Sequence, residues 1–377
     1  MKKLIALLLA MSICILCAAC GGDKTTETKG EPILNDAETT APVVETTEAP
    51  TEEATEAPTE EVTEPVTEPA VVYTNPLTGE VLEAPITTRP VVVSVSNVQS
   101  ALPHRGVYGA DILFETYVNG SVVRCLAVYS DITKVEAIGS TRSARPILVD
   151  IASHYNAFYA HAGGSGFTNS YLASSGIDNM NVDTWDDSGY SFRDKARSAA
   201  SSWEHCLFTR GAELMEHITT EKKVDMSQDP DTSFGLQFAA DGTPADGEAA
   251  EKVTITMKFS GSSKETIMIF NKDTGLYEYN QYGKTMIDEA TNEAESFTNV
   301  IVMFAKITTN SGYHVADFVK GGEGYYACGG KMIPITWKCA GEDQPFTFYT
   351  EDGEVLNMGV GSSYIAVVAS GSTVTGK

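Results

Sequence analysis

Apolar residues follow three regimes along this chain. From Leu4 to Cys17 they run almost unbroken, from residue 21 to 70 they nearly vanish, and from Arg89 they recur with the periods of ordinary secondary structure. RPVVVSVSN is a β-branched run of the kind buried on both faces of a sheet. ILFETYV, Asn119-Gly120 and SVVRCLAVY form the strongest hairpin signal, a type I′ turn pair between alternating runs. With Val118 facing Ser121, that turn sets Glu115 opposite Arg124 on the face of Leu113, Tyr117, Val122 and Leu126. The pair reads as a partly desolvated structural ion pair. VEAIGS predicts a short strand running into TRSARP, and Ile147, Leu148, Ile151 and Tyr155 then mark the buried stripe of a helix with Pro146 in its first turn. NAFYAHAGG reads as a strand ending in Gly163-Gly164-Ser165-Gly166, with a short helix opening at Thr168-Asn169. Residues 224–250 are poor in apolar side chains. Beyond them come short alternating runs, among them KVTITMKFS, NVIVMFAKI, KMIPITWKC and SYIAVVA. The expected fold class is therefore α/β. A mixed-sheet α/β part spans 71–225, a loop-rich linker 226–250, and a β-rich, mostly antiparallel part 251–377.

The first regime is an address. Lys2 and Lys3 precede an apolar core too short for a permanent span, so residues 1–20 read as a secretory signal. Ala18-Ala19-Cys20 resembles the lipobox of bacterial lipoproteins, although Cys17 stands where that motif usually has Leu. The resemblance implies lipidation at Cys20 and a lipid anchor in the plasma membrane, on its extracytoplasmic face. Residues 21–70 carry TEAPTEEA at Thr47–Ala54 and TEAPTEEV at Thr55–Val62. Proline excludes a regular helix and little is available to bury, so this acidic repeat reads as a disordered tether.

Charge narrows the partners. The chain carries a formal −25. Residues 21–70 hold fourteen Asp and Glu against Lys24 and Lys29, and residues 71–377 still carry −15. A nucleic-acid partner needs a basic face to displace counterions from phosphates, and neither part offers one. Four thiols lie beyond Cys20, at Cys125, Cys206, Cys328 and Cys339. With Gly329-Gly330 as a two-residue turn, Cys328 faces Lys331 and Cys339 faces Lys320, too far apart to bridge. Buried free thiols are expected.

NPLTGE at Asn75–Glu80, then ADILFE, RCLAVY, IGSTRSARP, FYAHAGGS and FRD, resemble in order the YerB-like family of bacterial lipoproteins. GYYACGGKMIPITW and DGEVLNMGVGSSYIAVV resemble its second half, so the likeness covers residues 72–372. It implies a mixed α/β fold and a membrane-anchored lipoprotein, in a family whose biochemical role is not established. The chain departs from the family pattern at Leu102-Pro103-His104 and at Cys206.

The most informative chemistry is a basic cluster in an acidic region. Arg142 and Arg145 stand at a strand-to-helix junction, where unpaired amides and the helix dipole favour an anion. The Gly163–Gly166 loop is a second such junction, and Arg193 is the third basic member. Arg142, Arg145 and Arg193, with the amides of Gly163, Gly164 and Ser165 and with His161, make a candidate pocket for an anionic small molecule or wall-polymer fragment. The competing reading pairs these arginines with Asp150, Asp111 or Glu115 to fix loop geometry. A second function class is an envelope hydrolase or transferase using His161 or His205 with Asp150, Ser165 being a possible nucleophile outside any nucleophile elbow. A third is a protein-interaction scaffold using the sheet of residues 250–372, whose Tyr277, Tyr279, Tyr282, Tyr325, Tyr326 and Trp337 read mainly as core. No metal-ligand spacing and no cofactor fingerprint occurs, and no protein partner is specified.

Overall fold

The computed structural model describes residues 72–259 and 262–377, with the side chains of 259 and 262 left out. The signal segment, Cys20 and the acidic repeat lie outside the described residues. All of the described residues belong to one compact unit.

In the N-terminal part the principal strands are β1 (Val91–Ser96), β2 (Ile112–Asn119), β3 (Val122–Tyr129), β4 (Phe158–His161) and β5 (Asn179–Asn181). Two helices flank β4: α1 (Pro146–His154) and α2 (Gly166–Ser175). The C-terminal part contributes β6 (Lys252–Phe259), β7 (Ser262–Asn271), β8 (Leu276–Gln281), β9 (Asn299–Asn310), β10 (Gly322–Cys328), β11 (Lys331–Cys339), β12 (Ser363–Ala369) and β13 (Thr373–Gly376). Strand outweighs helix over the described residues as a whole, and the α/β label fits the N-terminal part only loosely. The protein is mostly β, in several sheets.

One twelve-stranded sheet runs through both parts, with its main path in the order β11-β10-β9-β12-β2-β3-β1-β4-β5. The join is β12, which lies parallel to β9 on one side and parallel to β2 on the other. A six-stranded antiparallel sheet built on β6, β7, β8 and β13 covers one face. The other face is covered by α1, by Phe234, Phe346 and Phe348, and by Leu356. Whereas β11 alternates buried and exposed residues, both faces of the large sheet are therefore buried around β1, β2, β3 and β12. That is why β1 reads as an unbroken buried run: Val91, Val93 and Val95 enter the core under the small sheet, and Val92 enters the core under α1. The helix stripe of Ile147, Leu148, Ile151 and Tyr155 is fully buried as expected. The segment 226–250 is not purely loop: Gln237–Ala239 and Glu248–Ala249 pair with Asn357–Gly359 and with β11.

The hairpin carries a correction. The turn is formed by Gly120 and Ser121 rather than Asn119-Gly120, and Val118 is an extra residue bulged out of β2. Register therefore shifts by one: Glu115 lies opposite Cys125, and Arg124 lies opposite Thr116. A one-residue slip moves a side chain to the other face. Glu115 points toward the small sheet and Arg124 toward the α1 side, so the expected Glu115–Arg124 pair does not exist.

The second hairpin, β10–β11, has Cys328 opposite Lys331, with positive φ at Gly329 (+59°) and Gly330 (+77°). Its last pair is Trp337 with Gly322, and Cys339 pairs with Phe346 instead of Lys320. Cys125, Cys206, Cys328 and Cys339 are buried free thiols. Tyr277, Tyr279, Tyr326 and Trp337 are fully buried, while Tyr282 is exposed and Tyr325 half-buried.

Candidate functional site

The two strand-to-helix junctions converge. Ala162 N–H donates to the Arg142 carbonyl and Ala144 N–H to the Gly163 carbonyl, both at 2.9 Å, so segments 142–144 and 161–163 run side by side. The first follows the short strand Ile138–Gly139 of a separate three-stranded sheet and leads into α1, and the second follows β4 of the large sheet and leads into α2. Pro146 opens α1, and no side chain caps its amides. At α2 the Ser165 hydroxyl accepts from Thr168 N–H at 3.2 Å and contacts Thr168 Oγ1 at 3.0 Å. Ser165 is thus a helix cap. Gly163 takes φ +69°, and its amide is already used by Asn181 Oδ1 at 2.7 Å. A Cβ on Gly164 would lie 2.6 Å from Asn169 Oδ1, so the loop passes tightly over the start of α2.

Three guanidinium groups gather at this junction, and one of them is Arg124. It is 4% exposed and donates from Nη1 to the Ser143 carbonyl at 2.5 Å. Burial lowers its pKa most, and the charges of Arg145 and Arg142 lower it further. Arg142 reaches outward, from Nη1 to the Glu204 carbonyl at 2.5 Å and from Nη2 to Glu204 Oε2 at 3.0 Å. Arg145 donates to Asn119 Oδ1 at 3.3 Å and to the Ala144 carbonyl at 2.7 Å, and lies over the Tyr313 ring at 5.1 Å. Among the described residues, Glu204 is the one carboxylate in ion-pair contact with this trio. Asp150, Asp111 and Glu115 do not meet Arg142 or Arg145.

Arg193 does not join the cluster. Its guanidinium donates to the Thr184 and Trp203 carbonyls, each at 2.6 Å, pairs with Asp183, and lies 4.2 Å from the Trp203 ring centre. It fastens two loops together.

The histidines have separate environments. His161 sits beside the junction with Nδ1 2.9 Å from the Gly163 carbonyl and Nε2 3.2 Å from Asn179 Oδ1. Burial lowers its pKa, against those two hydrogen bonds. His205 Nε2 contacts Ser100 Oγ at 3.2 Å, and burial and the Arg142 charge lower its pKa. Asp150 accepts from Tyr171 OH on α2 at 2.8 Å, and burial raises its pKa to about 7. Neither His161 nor His205 hydrogen-bonds Asp150. Among the described residues no group of three or more His, Cys, Asp or Glu is placed to hold a metal ion.

Sequence reasoning missed Arg124 as a site residue, because the assumed register assigned it to Glu115. The signal was an arginine on the face later shown to hold Leu126 and Val128, with no acid at alternating positions of β2 to meet it.

A large mixed sheet, with two helix starts and three arginines brought together beside it, defines a mostly β protein. Residues 77–225 and 255–365 match the N-terminal and C-terminal domains of a family described as protein of unknown function (DUF3048), and the chain belongs to that family. It is 26% identical over 299 residues to "Putative lipoprotein YerB" of Bacillus subtilis (strain 168), covering 78% of this chain and 85% of that one. The crystal structure of the YerB protein from Bacillus subtilis shares the fold with a TM-score of 0.68 at 23% identity, over 80% of this chain and 99% of that one. Among the described residues no helix is long and apolar enough to cross a membrane.

Proposed function

We propose that this is a lipoprotein tethered through Cys20 to the extracytoplasmic face of a bacterial plasma membrane, where it binds an anionic envelope ligand without transforming it. The lipobox-like Ala18-Ala19-Cys20 and the lipoprotein relative support the anchor. Arg124 carries the binding reading. A desolvated charge costs several kcal/mol unless it is paired, and two like-charged neighbours add to that cost. With Glu204 alone among the carboxylates of the described residues and already on Arg142, the natural partner for the trio is an anion from outside. The amides at the start of α1 point to the same chemistry. Arg142, Arg145 and Arg124 would clamp the ligand, while the Gly163–Ser165 turn and His161 shape the floor.

The hydrolase reading has weaker support. Ser165 is engaged as a cap, and Asp150 is committed to Tyr171. The scaffold reading needs a contiguous aromatic patch on the C-terminal sheet, and four of its six candidate aromatics are buried.

The test is thermal stability of residues 68–377 with inorganic phosphate, citrate and sulfate. A ligand at a hundred times its dissociation constant adds about 2.7 kcal/mol. Arg124→Met is expected to fold, to be as stable as the parent or more so without anion, and to lose the shift. Arg142→Ala/Arg145→Ala should lose it too. A shift retained in Arg124→Met, or an unfolded Arg124→Met, would make the arginine structural.

A further inference from the structure

Two of the three tryptophans of this chain are on the surface, and they touch each other. Trp185 is 85% exposed and Trp203 is 43% exposed, with ring centres 5.7 Å apart and planes inclined by 37°. Scattered surface apolar residues are ordinary, but a paired and exposed indole surface is a contact site held ready in water. This one is fixed from beneath. The Arg193 guanidinium binds the carbonyl of Thr184, just before Trp185, and the carbonyl of Trp203, and lies against the Trp203 ring. One buried side chain therefore fixes the backbone beside both tryptophans and backs the Trp203 ring.

The platform adjoins the arginine cluster. Arg142 holds both the carbonyl and the carboxylate of Glu204, the residue after Trp203. Trp185 in turn is flanked by Asp183, Asp186 and Asp187, which pair with Arg193, Lys195 and Arg210 and whose side chains stay 46%, 71% and 51% exposed. An aromatic face with exposed ion pairs beside it suits a neutral ring bearing hydroxyls: its C–H face stacks on indole and its hydroxyls bond to the paired charges. An anionic group belongs instead on the arginines of the cluster.

We infer that Trp185 and Trp203 take a sugar ring of the ligand whose anionic group is held by Arg124, Arg142 and Arg145, so that the ligand is an anionic glycan. This rests on the anion-binding reading above.

The experiment uses the chain from residue 21 onward and four probes: N-acetylglucosamine 1-phosphate, N-acetylglucosamine, inorganic phosphate and AMP. Binding is followed by calorimetry and by tryptophan fluorescence, in which Trp337 is fully buried and Trp185 and Trp203 report on the surface. The sugar phosphate should bind at least tenfold tighter than inorganic phosphate and change the fluorescence. Trp185→Ala, which alters a residue with no part in the core, should erase that advantage and leave inorganic phosphate affinity unchanged. Arg124→Met should abolish both. Phosphate binding without a sugar advantage, an advantage that survives Trp185→Ala, or AMP binding more tightly than the sugar phosphate would each overturn the glycan inference alone. Failure of the parent to bind any phosphate would overturn the anion reading and this one with it.

Discussion

Glu115 is fully buried, and four side chains donate to it: Lys264 at 2.5 Å, Asn97 at 2.7 Å and Thr266 at 2.9 Å, with Tyr364 OH completing the set. The Lys264 side chain is itself only 9% exposed, so the two charges depend on each other. Removing one partner of such a pair leaves a desolvated charge and typically costs about 3–5 kcal/mol. Glu115→Gln should therefore lower the stability measured by urea unfolding by that order. Glu115→Gln/Lys264→Met should recover more than half of the loss, because no charge then remains buried. A double variant no better than the single one would mean that packing, not the ion pair, sets the cost. The burial of Glu115 was legible from Leu113 and Tyr117 on its own strand. Its partner was not, since Lys264 lies 149 residues away and nothing local points to it. His104 is similar: it stands where the family pattern differs and is buried against Glu295 at 2.9 Å, a pairing that no sequence spacing signals.

At the scale of elements, strands and helices were legible because their periods are strong, while register was not. The β2–β3 hairpin was correctly expected, yet the bulge at Val118 moved Arg124 to the opposite face and so changed its meaning from structural partner to candidate ligand group. This bulge leaves no periodic trace, because Asn119 is the one residue of β2 that follows it and too little strand remains to show the inverted alternation. The α1–α2 contact offers a test of an element pair. Tyr171 on α2 donates to Asp150 on α1, and burial raises the Asp150 pKa to about 7 against an ordinary value of 3.8. The folded state thus holds this proton more tightly than the unfolded chain does. Its contribution is fully present below about pH 4 and is lost as pH rises toward 7, by on the order of 4 kcal/mol at most. Subtracting the pH–stability profile of Asp150→Asn from that of the parent should leave a difference falling across that window. A flat difference would place the carboxyl in water.

At the scale of the whole molecule, the division into two family segments and the continuity of the sheet pull in different directions. The six-stranded sheet is built entirely from residues 252–376, as the run of short alternating strands after residue 250 implied. The large sheet is shared, because β12, near the end of the chain, inserts between β9 and β2. No local pattern reveals that insertion: SYIAVVA reads as a buried strand wherever its neighbours lie. It has an energetic consequence. Without Ser363–Val367, the edge of β2 at Ile112–Thr116 is a row of open hydrogen-bonding groups flanked by Ile112, Leu113 and Phe114, the kind of edge that pairs with other chains. The Glu115 carboxylate would also lose Lys264, Thr266 and Tyr364 together. A fragment of residues 71–225 should therefore fail to give a monomer with a cooperative transition, whereas residues 68–377 should unfold in a single calorimetric step. Two resolved transitions in the longer chain, or a monomeric and cooperative short fragment, would mean that the β12–β2 ladder contributes little. The single step follows because β12 belongs to the second segment by sequence and to the first by its hydrogen bonds, so neither core can open without exposing the other.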